Sequence, residues 1–366
     1  MENVKEKIIE ISKKIHIDCI GFTSVKPFKE RKHILKEREQ KGYLSGFEEE
    51  DIQKRIYPQK IFSKAQSIIS IGLCYYQELE TPKQKELYGN ISRSSWGKDY
   101  HQVLQKKMKE LMDCIEKEVT KIEYKTFVDT GPLIDREVAY RSGIGAFGKN
   151  NFIIHPKFGS WIFIGNILTN LKIQENTPIE EDICGECDLC IQACPTGALE
   201  GAYQFNAQKC VSYLTQKKDL LTEKERRSIG TNIYGCDICQ LVCPKNKKVS
   251  NTCHQSFRTD GYLAFPQIKT LLNMTNKEFQ EIFKPIAAGW RGKKILQRNA
   301  IIVLGNSKDS RAIPILKECL QDVRWDIRLY AIWSLSQFKK EGRKIIENFA
   351  SIEKDARVKK EIQKVL

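Results

Sequence analysis

The sequence predicts an α+β protein whose first half mixes helices and strands, whose middle is rich in cysteine and whose tail is helical. Between residues 1 and 170, helical and strand-like stretches alternate without a regular βαβ repeat, which favours an α+β domain over a doubly wound one. Eight of the 13 cysteines then fall between residues 184 and 243. Beyond about residue 290 the strand signals end, and similar helical patterns recur.

Apolar patterns in the first half predict helices and strands. Apolar side chains recur on one helical face in residues 1–15 and 100–119, and apolar β-rich runs predict strands over 66–76, 124–130 and 160–170. The N-terminal helix lacks the apolar core and cleavage site of a secretory signal. No run approaches the ~18 apolar residues of a membrane span, so we expect a cytoplasmic protein.

A glycine-rich passage, RSGIGAFGKNN, lies between the last two of these strands, at residues 141–151. Its glycines fit G-x-G-x-x-G, the pattern of a dinucleotide-binding turn. However, a strand-to-helix context is missing, and Ile164 stands where an acidic residue would be needed. We therefore expect a tight loop whose backbone approaches a bulky cofactor.

The first cysteine run has the spacing of a bacterial ferredoxin. Cys184, Cys187, Cys190 and Cys194 follow the pattern C-x2-C-x2-C-x3-C, with Pro195 directly after them. In this pattern three cysteines bind one 4Fe–4S cluster, while the fourth ligates the other cluster of the pair. Zinc is the weaker alternative.

The second run is one cysteine short of a full set. Cys236, Cys239 and Cys243 precede Pro244, and Cys210 upstream can supply the missing thiolate. The crossed pattern predicts Cys184, Cys187, Cys190 and Cys243 for cluster one and Cys194, Cys210, Cys236 and Cys239 for cluster two. Such a pair passes single electrons and is expected to feed a redox centre in the first 170 residues. The other cysteines are expected to be packing or surface thiols: Cys19, Cys74, Cys114, Cys253 and Cys319.

The tail is basic and repetitive. Residues 244–366 hold 25 Lys and Arg against 12 Asp and Glu, whereas the rest of the chain is nearly balanced. This asymmetry favours an anionic partner such as nucleic acid, with a solvated basic surface as the alternative. The stretch from Arg298 matches that from Arg328, 30 residues later, with a helix break expected at Gly305-Asn306. Such spacing is typical of an α-solenoid, which with about two units must pack on the preceding domain.

A candidate acid lies at the end of the predicted strand 124–130. Asp129 could have a raised pKa there and act as a general acid, or it could cap the turn that follows. Asp135 and Glu137 compete with it from the next predicted helix. His101 could be a ligand, although a lone histidine near a helix start is more often structural.

Taken together, these motifs resemble the epoxyqueuosine reductase family. The resemblance rests on CGECDLCIQACPTGAL, YLTQ and YGCDICQLVCPKN, on GYLSGF, SWGKDYH and FVDTGPLIDREVAYRSGIGAFGKN upstream, and on WRGKK and QRNA downstream. In effect it covers the whole chain, and YGCDICQLVCP is specific for the family.

The resemblance implies a cobalamin cofactor between the N-terminal domain and the clusters. No side chain would ligate the cobalt, which is consistent with the absence of a D-x-H-x-x-G motif from the sequence. Asp129 would be the proton donor. The residues implied at the corrin are Arg55, Ser92, Asp129, Ile153, Ile164, Val211, Cys236 and Asp237.

The implied reaction is the two-electron reductive removal of the epoxide oxygen of epoxyqueuosine in a tRNA anticodon loop, giving queuosine and water. Phosphate contacts would position the RNA. The implied tRNA-binding residues are Lys218, Lys277, Arg291, Lys293, Lys294 and Arg298. A flavodoxin or ferredoxin would suit as electron donor, and we expect a monomer.

Patterns and resemblance together predict four consecutive domains. They are a mixed α/β cobalamin-binding and catalytic domain (1–175), a two-cluster ferredoxin-like domain (176–250), a helical connector (251–290) and HEAT-like, tRNA-binding repeats (291–366). Two other functions stay open. One is a cobalamin-dependent reductase of a small molecule, similar to reductive dehalogenases, and the other is a non-enzymatic iron–sulfur protein that binds nucleic acid.

Overall fold

The structure, a computed structural model, describes residues 4–82, 86–117 and 121–366. The described strands are β1 (Cys19–Ser24), β2 (Ser67–Cys74), β3 (Asn90–Ile91), β4 (Tyr124–Phe127), β5 (Ala146–Phe147), β6 (Ile153–Ile154), β7 (Ile162–Thr169), β8 (Leu199–Gly201), β9 (Gln204–Phe205) and β10 (Asn232–Tyr234).

The described helices are α1 (Val4–Lys14), α2 (Lys32–Gln40), α3 (Ile52–Ile56), α4 (Pro58–Ile61), α5 (Tyr100–Glu116), α6 (Asp135–Arg141), α7 (Leu189–Ala193), α8 (Val211–Leu214), α9 (Glu223–Ser228), α10 (Ile238–Leu241), α11 (Ile268–Asn273), α12 (Asn276–Ile282), α13 (Lys293–Ser307), α14 (Ala312–Cys319), α15 (Trp325–Ser336), α16 (Lys339–Ala350) and α17 (Ala356–Val365). The predicted helices over 1–15 and 100–119 correspond to α1 and α5. The first three residues of the first prediction and the last two of the second lie outside the described ranges. Within those ranges, every helix is too short or too polar to traverse a bilayer.

Two compact units interleave along the chain. The first unit contains residues 1–78, 98–210 and 237–258, and the second unit contains 79–97, 211–236 and 259–366. These units differ from the four consecutive domains predicted from the sequence. The physical reason is that apolar side chains of 79–97 and 211–236 are buried in the same core as the helices of the tail.

The first unit is built on a four-stranded antiparallel sheet in the order β1-β2-β7-β4. Thr169 at the end of β7 lies between Ser67 of β2 and Tyr124 of β4. The predicted strand over 124–130 is shorter than expected and ends at Phe127. It ends there because Asp129 adopts a left-handed backbone conformation, with φ of 53°, which leaves the extended geometry of a strand.

The strand β7 reads as a nearly continuous apolar run because both faces of the sheet are covered. Phe163 shares a core with α1 and α5 on one face. Ile162 and Leu168 belong to cores that include residues of α6. A Cβ atom on Gly165 would lie 3.0 Å from Sδ of Met108, so glycine allows α5 to pack closely on the strand. Sheet and helices together give the predicted α+β architecture.

The glycine-rich passage 141–151 links α6 to the hairpin of β5 and β6. Gly143 has a φ of 72°, and a Cβ atom on Gly145 would lie 2.5 Å from the carbonyl oxygen of Ile154. The turn and the hairpin therefore account for these two glycines, and the expected approach of a cofactor to this loop stays a prediction. The order helix, turn, hairpin also differs from the strand, turn, helix of a dinucleotide-binding loop, as predicted.

The second unit is a stack of helices with a small parallel pair of strands, β3 and β10. The helices α13, α15 and α17 pack successively against one another, and α13 also packs on α11 and β10. The repeat tail therefore completes its core with other segments of the same unit, as its small number of repeats requires. The indole Nε1 of Trp96 donates a hydrogen bond to the carbonyl of Ile91 (2.6 Å), which fixes the segment that contains β3.

The predicted helix break at Gly305-Asn306 is wrong. The helix α13 continues through both residues to Ser307, and Lys308 then ends it in a left-handed conformation with φ of 53°. Gly305 allows α13 to pack closely against α15, because a Cβ atom at this position would lie 2.8 Å from Cα of Ser334. The glycine thus marks a close approach of two helices and not the end of one.

Candidate active site

The thiols predicted for cluster one converge in the first unit. Cys184 and Cys187 lie on a turn closed by a hydrogen bond from the N–H of Cys187 to the carbonyl of Cys184 (2.9 Å). Cys190 lies in α7, and Cys243 follows α10, which packs on α7. Burial, followed by the charges of Cys184 and Cys243, raises the pKa of Cys190. A bound iron cluster would neutralise the charge that cysteine ligands carry in such an arrangement.

Cys194 has the surroundings of a stabilised thiolate. Burial opposes its ionisation, but hydrogen bonds from Leu199, Thr196 and Ala198 lower the pKa of Cys194 below its usual range. The Thr196 hydroxyl lies 3.6 Å from the sulfur. Hydrogen bonds to sulfur orient thiolate ligands and tune the potential of the cluster that they hold.

The other three thiols predicted for cluster two belong to different segments. Cys210 follows a short 3₁₀ turn, with its N–H bonded to the carbonyl of Ala207 (3.0 Å), and Cys239 lies in α10. Both are in the first unit, whereas Cys236 ends a segment of the second. Their common assignment to cluster two stays a prediction.

The candidate acid Asp129 faces two side chains from the start of α5. The Tyr100 hydroxyl donates a hydrogen bond to Oδ2 of Asp129 (2.5 Å), and Nε2 of His101 lies 3.9 Å from the same oxygen. Asp99 caps the helix and lies 2.7 Å from Nδ1 of His101. Burial opposes the imidazolium, but the bond to Asp99 and the charges of Asp99 and Asp129 raise the pKa of His101.

Asp135 supports the loop that carries Asp129. Its carboxylate accepts hydrogen bonds from Nδ2 of Asn166 (2.6 Å) and from the backbone N–H of Asp129. Burial, followed by the charge of Asp129, raises the pKa of Asp135 to about 7. Two neighbouring carboxyls in unequal surroundings are typical of sites where one group is kept protonated.

The three candidate acids predicted from the sequence differ in how exposed their side chains are. Glu137 is 2% exposed and is held by Arg31 (2.6 Å) and Arg141 (3.2 Å), so it has a structural role. Asp135 is held at the start of α6. The side chain of Asp129 is 66% exposed, and it can therefore meet a ligand.

Three arginines of the first unit, Arg38, Arg55 and Arg136, lie close enough for their charges to influence one another. Burial, followed by the charge of Arg38, lowers the pKa of Arg136 to about 10, while Asp129 and Asp135 favour its charged form. Burial also lowers the pKa of Arg55. The buried Nε of Arg38 has no hydrogen-bond partner among the described residues. Buried donors of this kind need an acceptor-rich partner.

The remaining residues predicted at a corrin ring are buried or half-buried. Ile153 and Ile164 pack in one apolar core, and Asp237 is 8% exposed beside α10. Ser92 and Val211 are 7% and 2% exposed. The structure brings Arg55, Asp129, Ile153, Ile164 and Asp237 into the first unit and Ser92, Val211 and Cys236 into the second.

Three of the six cations predicted to bind RNA are exposed, namely Lys218, Lys277 and Lys294. Nζ of Lys294 lies 3.0 Å from Asp326. Nζ of Lys293, which is half-buried, donates a hydrogen bond to the carbonyl of Met274 (2.9 Å).

Arg298, predicted to contact RNA, is buried in this structure, and its contact with RNA stays a prediction. Its side chain is 2% exposed. Its guanidinium donates to the carbonyls of Lys217 (2.5 Å) and Leu214 (3.2 Å) and to Oδ1 of Asn299 (3.0 Å). The guanidinium therefore supports the segment that carries Lys218.

Three family profiles match successive parts of the chain. "Epoxyqueuosine reductase QueG, DUF1730" matches residues 55–130, a 4Fe-4S double cluster binding domain matches 183–246, and HEAT repeats match 291–366. The second match supports iron–sulfur clusters on the cysteine runs, and the third confirms the predicted repeats.

Curated relatives match along the full length. The epoxyqueuosine reductase of Bacillus subtilis (strain 168) is 43% identical over 370 residues, covering 99% of this chain and 95% of its own. That of Staphylococcus aureus is 41% identical, covering 100% of this chain and 97% of its own. The chain belongs to the epoxyqueuosine reductase family. It is therefore an enzyme of the oxidoreductase class.

Solved epoxyqueuosine reductases share the whole fold. A selenomethionine-labelled enzyme superimposes with a TM-score of 0.94 at 42% identity, covering 99% of both chains. The enzyme from Streptococcus thermophilus gives 0.93 at 39% identity, covering 99% of this chain and 98% of its own. Another, at 0.93 and 42% identity, covering 99% and 98%, is solved with an epoxyqueuosine-modified stem loop of a tyrosine tRNA.

Sequence reasoning missed an aromatic residue beside the basic cluster of this family member. Trp290 is 48% exposed, and the guanidinium of Arg291 stacks 3.8 Å from the centre of its ring. Its Nε1 donates to Oε1 of Gln216 and to the hydroxyl of Tyr234, both at 2.9 Å. A tryptophan next to an arginine in a basic tail was the signal that the sequence offered. Tyr100 was also missed, because no pattern in the neighbouring sequence predicts its hydrogen bond to the distant carboxylate of Asp129.

Proposed function

We propose that this protein removes the epoxide oxygen of epoxyqueuosine in the anticodon loop of tRNA. Two electrons and two protons convert the epoxide into an alkene and water. The observation that carries this proposal is the full-length similarity to enzymes of this name, one of which is solved with an epoxyqueuosine-modified tRNA stem loop. The exposed cations and Trp290 of the second unit favour a nucleic-acid substrate over a small molecule.

We propose cobalamin as the cofactor of the first unit. The resemblance implies it, and the donor set suits it, because the rim of a corrin carries amide groups that accept hydrogen bonds. Arg38 Nε and His101 Nε2 are both buried without a hydrogen-bond partner among the described residues. Ile153 and Ile164 would supply apolar contacts, and Arg55 a further donor. When bound, cobalamin supplies a strongly reducing, nucleophilic cobalt centre.

The eight cysteines would hold two clusters that deliver electrons one at a time. The mutual electrostatic influence of Cys184, Cys187, Cys190 and Cys243 supports the ligand set of cluster one. The stabilised thiolate of Cys194 supports its role as a ligand of cluster two. A flavodoxin or ferredoxin would supply the electrons, since both are one-electron carriers.

Asp129 is the proposed proton donor. It lies on an exposed loop, whereas Asp135 is held within α6. A solved B. subtilis epoxyqueuosine reductase is described as having its catalytic loop, named after an aspartate, swung out of the active site. Only Asp129 of the two acids here is in a position to move with a loop. Tyr100 would orient its carboxyl, and the proton would go to the departing epoxide oxygen.

The test is an anaerobic assay of reconstituted protein with added cobalamin, a strong reductant and tRNA from cells that lack the enzyme. Mass spectrometry of the nucleosides should show loss of one oxygen atom from epoxyqueuosine. The free epoxyqueuosine nucleoside is the matched control for the alternative of a small-molecule substrate. Intact clusters and bound cobalamin without conversion of tRNA would exclude the proposed reaction.

A further inference from the structure

A second group of metal-binding side chains lies in the first unit, outside the eight cysteines of the two runs. Asp18 precedes β1, while Cys253 and His254 follow the second cysteine run. One ligand atom of each side chain lies within 4.8 Å of the other two. Within the described ranges, no other three His, Cys, Asp or Glu side chains meet in this way.

Hydrogen bonds hold these ligand atoms in place from several directions. Nε2 of His254 lies 2.7 Å from Oδ2 of Asp18, which also accepts the backbone N–H of Cys74 at the end of β2 (2.6 Å). Thr252 binds the same strand end, donating its N–H to the carbonyl of Tyr76 (2.7 Å) and its hydroxyl to that of Cys74 (2.6 Å). Asp18 and His254 are therefore held directly by hydrogen bonds, and Cys253 lies between the bonded residues Thr252 and His254 of the same loop.

The donor set identifies the kind of ion. A thiolate, an imidazole and a carboxylate are ligands of Zn²⁺, whereas Mg²⁺ and Ca²⁺ prefer oxygen alone. Two ligands of a tetrahedral zinc ion are about 3.3 Å apart, so binding would open the contact between His254 and Asp18 by about 0.6 Å. Cys253 is exposed, which leaves the fourth position to water.

We propose that Asp18, Cys253 and His254 form a zinc site distinct from the iron–sulfur ligands. The ion would fasten the polypeptide that leaves the second cysteine run to the edge formed by β1 and β2. Without zinc, the imidazole and the carboxylate would make a plain hydrogen bond between loop and sheet. This proposal does not depend on the proposed reaction, because its ligands lie outside the residues assigned to that reaction.

The test measures zinc and iron on the full chain after anaerobic reconstitution of both clusters, addition of equimolar zinc chloride and desalting. We expect about one zinc ion per chain in the wild type. Cys253→Ser and His254→Gln should each lose most of this zinc while keeping the iron content of the wild type. Cys114→Ser, which changes a half-buried thiol of α5, is the matched control and should keep the zinc.

Anomalous diffraction at the zinc edge then locates the ion. A peak between Cys253 and His254 supports the proposal, and a peak at the cysteines of either run overturns it. Wild-type protein with full iron and no zinc also overturns it. So does mass spectrometric evidence that Cys253 is held in a disulfide, because no thiolate would then be free to bind. The new side chain of His254→Gln can still donate a hydrogen bond to Asp18, so this variant keeps the loop attached. It therefore tests the proposal even if Cys253→Ser fails to fold.

Discussion

Replacing Asp129 with asparagine should stop turnover and leave the fold intact. Asparagine has the same shape, can accept the hydrogen bond that Tyr100 donates at 2.5 Å, and tolerates the left-handed backbone at φ of 53°. We therefore expect the free energy of unfolding to change by less than about 1 kcal/mol. The amide has no acidic proton to donate, and a positioned acid contributes roughly 10²–10⁴-fold to rate.

The assay is single-turnover conversion of epoxyqueuosine tRNA under anaerobic conditions, followed by nucleoside mass spectrometry. The visible spectrum should show unchanged clusters and cobalamin, and tRNA affinity should match the wild type. Asp135→Asn is the matched comparison, because it neutralises the neighbouring acid while keeping a hydrogen-bond acceptor for the Asp129 loop. We expect a smaller loss of rate from that variant. Full turnover in Asp129→Asn, with loss in Asp135→Asn, would assign proton donation to Asp135 and refute our reasoning.

Four further predictions concern pH, RNA binding, the clusters and the helical tail. The folded pKa of Asp135, about 7, exceeds the unfolded value of about 3.9. Below about pH 4 the carboxyl is protonated in both states, and the stability that the protonated carboxyl contributes is complete. As pH rises through about 7 that contribution is lost, because the unfolded state gives up its proton more readily than the folded state. The melting temperature of Asp135→Asn relative to wild type should therefore be higher at pH 8 than at pH 5.5, and a pH-independent difference would contradict this. Reversing the charges of the exposed Lys218 and Lys277 should weaken tRNA binding. The slope of log affinity against log salt concentration should also fall by about one for each phosphate group that the variant no longer binds. An unchanged slope would show that these lysines do not contact the RNA. Cys243→Ser should lose roughly half of the iron, whereas loss of all iron would indicate that the clusters assemble together. Gly305→Ala, whose Cβ would lie 2.8 Å from the backbone of α15, should destabilise the protein by about 1–3 kcal/mol in thermal unfolding, and an unchanged melting temperature would show that the helices can separate without cost.

Local patterns predicted the elements and the iron–sulfur domain well, because both depend on near neighbours in the chain, whereas the individual cluster ligands stay a prediction. The apolar run of β7 and the helical periodicity of α5 each correspond to a described element. The spacing of the cysteines from Cys184 to Cys243 agrees with the double-cluster match. Asp129 was singled out because it lies at the end of a predicted strand, and its role as proton donor stays a prediction.

What the sequence missed depends on long-range contacts. Tyr100 and Asp129 are 29 residues apart, and no periodicity links them. The burial of Arg298 could not be read from its basic surroundings, because its acceptors come from carbonyls 81 and 84 residues away. Gly305 was interpreted as a helix end because glycine is common there, whereas the packing of α15 is the reason for it.

The interleaving of the two units has a consequence for how the chain is made. Ile91 and Trp96 share a core with Ala300 and Ile332, so these early residues have no complete partner surface until some two hundred more have been synthesised. At 5–20 residues per second, that interval is roughly 10–40 s. During it, apolar side chains of the nascent second unit stay open to chaperones and proteases. Folding of the second unit therefore requires the tail. A chain shortened before the repeats should be degraded in the cell, even though the residues of the first unit are all present by position 258.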